Sequence, residues 1–124
     1  KNCPGPYKHD VSDGVQFVFE VKRAAAPKAE IDRDLQRLFH FKRVCRPGAR
    51  AFLIVASEAN LPERFVDPEK GQSKLHAHAI PETAGVYHVR RTVKAASSFE
   101  KKESAHFVCI CEIFSESQER LPDV

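Results

Sequence analysis

The chain of 124 residues contains no methionine and no tryptophan. Because translation starts with methionine, we expect the chain to lack N-terminal residues through trimming, processing or incomplete order. No apolar run approaches the roughly 20 residues that a membrane-spanning helix needs, and no signal peptide is visible. The sequence therefore predicts a protein without a membrane segment.

Cysteine is present four times but never as CxxC, so a structural zinc site is not expected. Cys109 and Cys111 lie two residues apart in the apolar run Phe107–Phe114. On a strand they would share one face, too far apart to bond each other, and would behave as small buried apolar residues. The sequence predicts reduced cysteines and an intracellular, cytoplasmic protein.

The composition is that of an ordinary globular protein, with 42% apolar and 30% charged residues. We expect a single domain over residues 1–124, long enough to bury a core. The formal charge of +3 permits binding to an acidic polymer without requiring it.

The best strand candidate is Val15–Lys22, which alternates with period two. Glu20 and Lys22 share one face of it, because residues two apart on a strand point the same way. Four apolar side chains share the other face and are expected to enter the core: Val15, Phe17, Phe19 and Val21.

The other elements follow from periodicity and from turn residues. The turn Ser12–Gly14 predicts a hairpin between Lys8–Val11 and Val15–Lys22. The remaining predictions are a helix at Pro27–Cys45, a buried strand at Ala51–Ala56, a loop at Asp67–Thr83, a strand at Val86–Lys94, a short helix or bend at Ala95–Lys102 and a strand at His106–Phe114. Together they describe an α/β or α+β domain, a mixed sheet with the long helix crossing over between parallel strands.

Glu20-Val21-Lys22, preceded by Asp10 or Asp13, is the strongest chemical constellation. Over residues 8–56 the sequence resembles the PD-(D/E)XK nuclease superfamily, which has the restriction-endonuclease-like fold. The resemblance implies a DNA nuclease with Asp10 and Glu20 as ligands of Mg²⁺ or Mn²⁺. It implies that Lys22, the third catalytic residue, positions water or stabilises charge. Asp10 is preferred to Asp13, which lies in the turn.

Two further groups could bind ligands. Basic residues late in the chain would suit phosphate contacts, and their expected partner is DNA: Arg90, Arg91, Lys94, Lys101 and Lys102. On a regular strand Arg90 and Arg91 point to opposite faces. His76 and His78 form a His-x-His pair in the predicted loop, where a third metal ligand is not evident.

Two other interpretations stay open. A non-enzymatic descendant of the same fold would bind nucleic acid or protein. A secreted α+β inhibitor of the cystatin-like kind would suit the even cysteine count, with two disulfides. The oligomeric state is open as well, a homodimer included.

Overall fold

The computed structural model describes residues 17–57, 61–94 and 106–116. These contain one α-helix, a short π-helical segment and five strands. In chain order the elements are β1 (Phe17–Arg23), α1 (Lys28–His40), the π-helical segment Phe41–Cys45, β2 (Arg50–Ser57), β3 (His78–Ala79), β4 (Val86–Lys94) and β5 (Phe107–Phe114). The predicted strand Lys8–Val11 and the predicted bend Ala95–Lys102 lie outside the described residues.

The strands form one mixed sheet in the order β1-β2-β5-β4-β3. β1 and β2 are parallel, and the other neighbours are antiparallel. α1 connects the two parallel strands, so the predicted crossover is confirmed. The described part of the chain is a mixed α+β structure, as the sequence predicted.

The helix forms because apolar side chains recur at helical spacing and face the sheet. Ile31, Leu35 and Leu38 are all buried. Near its end the helix widens, and the amide of Arg46 donates to the carbonyl of Phe41, five residues back, at 3.0 Å. The predicted extent, Pro27–Cys45, is therefore nearly right, but its last turn is π-helical.

α1 packs on one face of the sheet, the covered face, which carries a dense apolar layer. Its central members are all buried: Ala51, Leu53, Val55, Cys109, Cys111 and Ile113. By register, Val18, Glu20 and Lys22 of β1 lie on this same face. The helix thus lies over the mixed side of β1.

The prediction that the apolar side of β1 enters the core is wrong. Phe17, Phe19 and Val21 are 52%, 54% and 70% exposed. They lie on the second face of the sheet, the open face, which none of the described helices covers. Five of the six exposed large apolar side chains in the described residues are on this face: Phe17, Phe19, Val21, Val93 and Val108.

The cysteines divide into two kinds. Cys109 and Cys111 are buried free thiols, as predicted, and burial raises the pKa of both. Cys45 is disulfide-bonded, so the expectation of a reduced thiol is wrong at that position. The two disulfides expected for a cystatin-like inhibitor are wrong too, because two of the four cysteines are free.

Candidate functional site

The candidate site lies on β1, which is at one end of the strand order. Glu20 and Lys22 are half-buried and lie on the covered face, opposite Leu53 and Val55 of β2. The alternation of β1 puts them together, as the sequence predicted. Because α1 crosses this face, the Lys22 side chain lies between the strand and the helix.

Asp34 of α1 meets Lys22 from the helix. Its carboxylate is buried, with Oδ2 3.1 Å from the Lys22 ammonium and Oδ1 2.8 Å from Nη2 of Arg37. Glu30, one helical turn earlier, places a carboxylate oxygen 3.9 Å from the same ammonium. Lys22 is thus the centre of an ion-pair network that joins β1 to α1.

Sequence reasoning placed Asp34 among the acids that suit the helix dipole and gave it no part in the site, although the signal was available. Asp34 lies three residues after Ile31 and four before Leu38, inside the apolar stripe of the helix. A carboxylate on such a stripe is buried only if it has partners. Its position therefore pointed to a cation on the facing strand.

Lys22 opens onto a shallow depression of about 400 Å³, which Glu30 and Arg23 also line. Its walls are otherwise backbone and small apolar side chains at the end of β1. The Lys22 side of the site is therefore partly solvated, whereas Glu20 does not line this depression.

The described carboxylates do not by themselves fit a divalent cation. Within residues 17–57, 61–94 and 106–116, no three His, Cys, Asp or Glu side chains form a group that could hold a metal ion. Both oxygens of Asp34 are occupied by cationic side chains. Asp10, the predicted second ligand beside Glu20, lies outside the described residues, as does Asp13.

Three members of the predicted basic set lie on β4, within the described residues: Arg90, Arg91 and Lys94. The sheet register shifts between Val89 and Arg91, and as a result Arg90 and Arg91 both lie on the open face. The expectation that they point to opposite faces of the strand is therefore wrong. Arg90 is bound to Glu112, whereas Arg91 and Lys94 are exposed. Lys101 and Lys102 lie outside the described residues.

Glu112 is a second buried carboxylate that sequence reasoning missed. It accepts two hydrogen bonds from Arg50, at 2.6 and 2.8 Å, and one from Arg90 at 2.9 Å. The signal was an acid inside the apolar run of β5. The group cross-links β2, β5 and β4 on the open face, which explains why Arg90 is held in place.

The His-x-His pair lies at β3. The rings of His76 and His78 are 4.0 Å apart, and His78 stacks on Tyr87 at 4.8 Å. Burial, together with the nearby charges of His76 and Lys74, lowers the pKa of His78 to about 4. His78 is therefore a neutral packed side chain at pH 7.

In the described part of the chain, no helix is long and apolar enough to cross a membrane. Comparison with protein-family models, with curated proteins and with solved structures found no match to this chain.

Proposed function

We propose that this chain is a nuclease that hydrolyses DNA phosphodiester bonds with Mg²⁺ or Mn²⁺, at a site centred on Glu20 and Lys22. One observation carries the proposal. Glu20 and Lys22 share one face of β1, and the buried carboxylate of Asp34 holds the Lys22 ammonium at 3.1 Å beside a solvated depression. The parallel β1-α1-β2 unit supports a restriction-endonuclease-like form of the sheet. A cytoplasmic location stays a prediction.

Each described residue has a distinct part in this proposal. The Lys22 ammonium stabilises the negative charge that develops on the phosphoryl oxygens. Asp34 is a positioning residue, because it orients that ammonium and is itself fixed by Arg37. Glu20 provides a carboxylate beside the scissile phosphate. We assign no step to the cation, since the described residues alone do not complete its site; the part of Asp10 rests on the sequence resemblance.

A second candidate function is nucleic-acid binding without hydrolysis. The observation that favours it is that Lys22 already has two carboxylate partners, Asp34 and Glu30, in its ion-pair network. An ammonium neutralised in this way strengthens the contact between β1 and α1 and has less charge to offer a phosphate. In this case the site is a remnant, and Arg91 and Lys94 remain as exposed phosphate contacts.

Cleavage and binding of labelled single- and double-stranded DNA test the two functions together. The assay compares wild type, Glu20→Gln and Lys22→Ala, with Mg²⁺, with Mn²⁺ and with a chelator. We expect wild type to cleave only with metal, and each variant to be slower by a factor on the order of a hundred or more. Cleavage by wild type and Glu20→Gln at equal rates would remove this site from consideration.

Folding has to be measured alongside activity. Glu20→Gln should change stability by less than about 1 kcal/mol. Lys22→Ala should cost about 1–3 kcal/mol, because the buried Asp34 loses one of its two close partners. Matched controls are Glu69→Gln and Lys70→Ala, which change exposed side chains in the loop before β3. Binding of DNA by all variants, with no cleavage by wild type, would favour the second function.

A further inference from the structure

A cavity of about 850 Å³ lies where the parallel strands β1 and β2 end. The cavity is lined by Arg23 and Ser57, which are the last residues of β1 and β2, and by Lys28 and Ile31 of the first turn of α1. Its volume is within the range of about 300–1,000 Å³ usual for small-molecule sites. In open sheets that contain parallel strands, ligands commonly bind beyond the carboxyl ends of those strands, so the location itself favours a binding site.

One wall of the cavity is apolar. Ala24, Ala26, Ile31, Leu61 and Phe65 contribute to it, and Ile31 and Phe65 are core residues with little exposure. These side chains are held by the packing of the core and do not have to rearrange to receive a ligand. Such a wall suits an apolar or planar group.

The polar side of the cavity is cationic. Arg23, Lys28 and Arg64 line it against one carboxylate, Glu63. Lys28 and Arg64 share Asp32 as their anionic partner, at 2.9 and 2.6 Å. The three cationic side chains outnumber the two carboxylates, Asp32 and Glu63, so the formal charge here is positive and an anionic ligand is favoured.

Two details strengthen the anionic preference. Nε and Nη2 of Arg64 donate hydrogen bonds to Tyr87 and Asp32, so its guanidinium group is held in place among the lining residues. The N-cap residue of α1 is Pro27, and no side chain caps the helix. The positive end of the helix therefore faces the cavity without a carboxylate or hydroxyl cap.

We propose that this cavity binds a phosphomonoester attached to an apolar or planar group, which is the chemistry of a nucleotide. The nucleotide is either free or at the phosphorylated end of a strand. The apolar wall receives the base or a comparable group, and the cations receive the phosphate dianion. The cavity adjoins the depression at Lys22 and shares Arg23, Ala25 and Ala26 with it, but neither Glu20 nor Lys22 lines the cavity. Binding in the cavity requires neither hydrolysis nor a metal ion.

Binding is measured by calorimetry and by NMR titration on the Glu20→Gln protein with chelator present, so that turnover cannot interfere. The probes are adenosine 5′-monophosphate, adenosine and inorganic phosphate. We expect the monophosphate to bind at least about tenfold more tightly than either part alone. If adenosine bound as tightly as the monophosphate, the proposed role of the cations would be wrong. If inorganic phosphate bound as tightly as the monophosphate, the proposed role of the apolar wall would be wrong. Absence of binding by all three probes would overturn the proposal as a whole.

Two variants locate the binding. Lys28→Glu reverses a charge at the cavity and should lower the affinity for the monophosphate by about tenfold or more. Arg33→Glu reverses an exposed charge on the same helix, outside the lining, and should leave the affinity nearly unchanged. Equal weakening by both would mean a general effect of net charge and would contradict the proposal. Ala25→Phe, at an exposed lining position, narrows the cavity without changing charge and should also weaken binding.

A short oligonucleotide with a 5′-phosphate, compared with its 5′-hydroxyl form, distinguishes the two sources. A preference for the phosphorylated strand that Lys28→Glu removes assigns the cavity to strand ends. Binding of the free monophosphate alone assigns it to a small metabolite. Failure of both leaves the cleavage assay at Glu20 and Lys22 unaffected, because neither of these residues lines the cavity.

Discussion

At the scale of single residues, Glu112 of β5 is a buried carboxylate whose negative charge has to be balanced inside the protein. It is 1% exposed, and its oxygens accept hydrogen bonds from Arg50 and Arg90. A carboxylate that leaves water loses several kcal/mol of hydration, which only close partners offset. The two guanidinium groups therefore determine whether this charge is tolerated.

Replacing Glu112 with glutamine should destabilise the protein by about 3 kcal/mol, since two partly buried arginines lose their anion. Urea unfolding followed by circular dichroism measures the change. Glu116→Gln, at an exposed position just beyond β5, is the control and should lie within about 0.5 kcal/mol of wild type. A cost below about 1 kcal/mol for Glu112→Gln would mean that the ion pairs contribute little.

His78 makes stability depend on pH. Its pKa is about 4 in the folded protein against 6.5 for the ordinary side chain, because burial and neighbouring positive charge disfavour the imidazolium. Above about pH 6.5, His78 is neutral in both the folded and the unfolded protein, and its contribution to the free energy of unfolding is constant. As the pH drops from about 6.5 to about 4, the unfolded chain takes up the proton first, so the free energy of unfolding falls. His78→Phe, which keeps a ring against Tyr87, should flatten the pH profile in this window.

The measurement is the unfolding free energy at several pH values for wild type, His78→Phe and His40→Phe. His40 is exposed at the end of α1 and serves as the matched histidine control. A profile for His78→Phe that parallels wild type between pH 6.5 and 4 would assign the pH dependence to other groups.

At the scale of elements, the packing of α1 on the sheet depends on one glycine. Gly85 precedes β4 and lies directly under the ring of Phe39. A Cβ at this position would approach Cε1 of Phe39 to 2.7 Å and the carbonyl oxygen of Phe114 to 2.9 Å. The absence of a side chain thus allows helix, β4 and β5 to meet.

Gly85→Ala should destabilise the protein by about 1–3 kcal/mol, because the ring or the backbone has to move. Gly48→Ala is the matched control, since a Cβ there meets nothing within 4 Å, and its effect should be near zero or slightly stabilising. Thermal unfolding of both variants provides the comparison. Equal melting temperatures would contradict the tight contact between α1 and β4.

At the scale of the whole molecule, the two faces of the sheet have unequal roles. The covered face holds the core beneath α1, while the open face exposes Phe17, Phe19 and Val21 at its β1 end. Hydrophobic stabilisation follows the area removed from water, so similar side chains on the two faces differ in what they contribute.

A matched pair of substitutions tests this asymmetry. Val55→Ala, on the covered face of β2, removes two methyl groups from a fully buried side chain and should cost about 2 kcal/mol. Val21→Ala, on the open face of β1, changes a side chain that is 70% exposed and should cost less than about 0.5 kcal/mol. Similar losses in urea unfolding would mean that the open face is covered in solution.

The sequence alone determined most elements of the described chain. The apolar run at Ala51–Ala56 was enough to locate β2, because such a run is typical of a strand covered on both faces. The predicted strand Val86–Lys94 coincides with β4. The shared face of Glu20 and Lys22 followed from the two-residue spacing of any strand. The free thiols in β5 followed from their spacing and apolar neighbours.

The tertiary structure decided which face of each strand is covered. Alternation divides β1 into an apolar and a mixed side, but the position of α1 selects the mixed side, and this reverses the expected burial of Phe19. The same contact brings Asp34 of α1 to Lys22 of β1. The position of Asp34 on the apolar stripe pointed to a cation on the facing strand, but only the packing of α1 against β1 made Lys22 that cation.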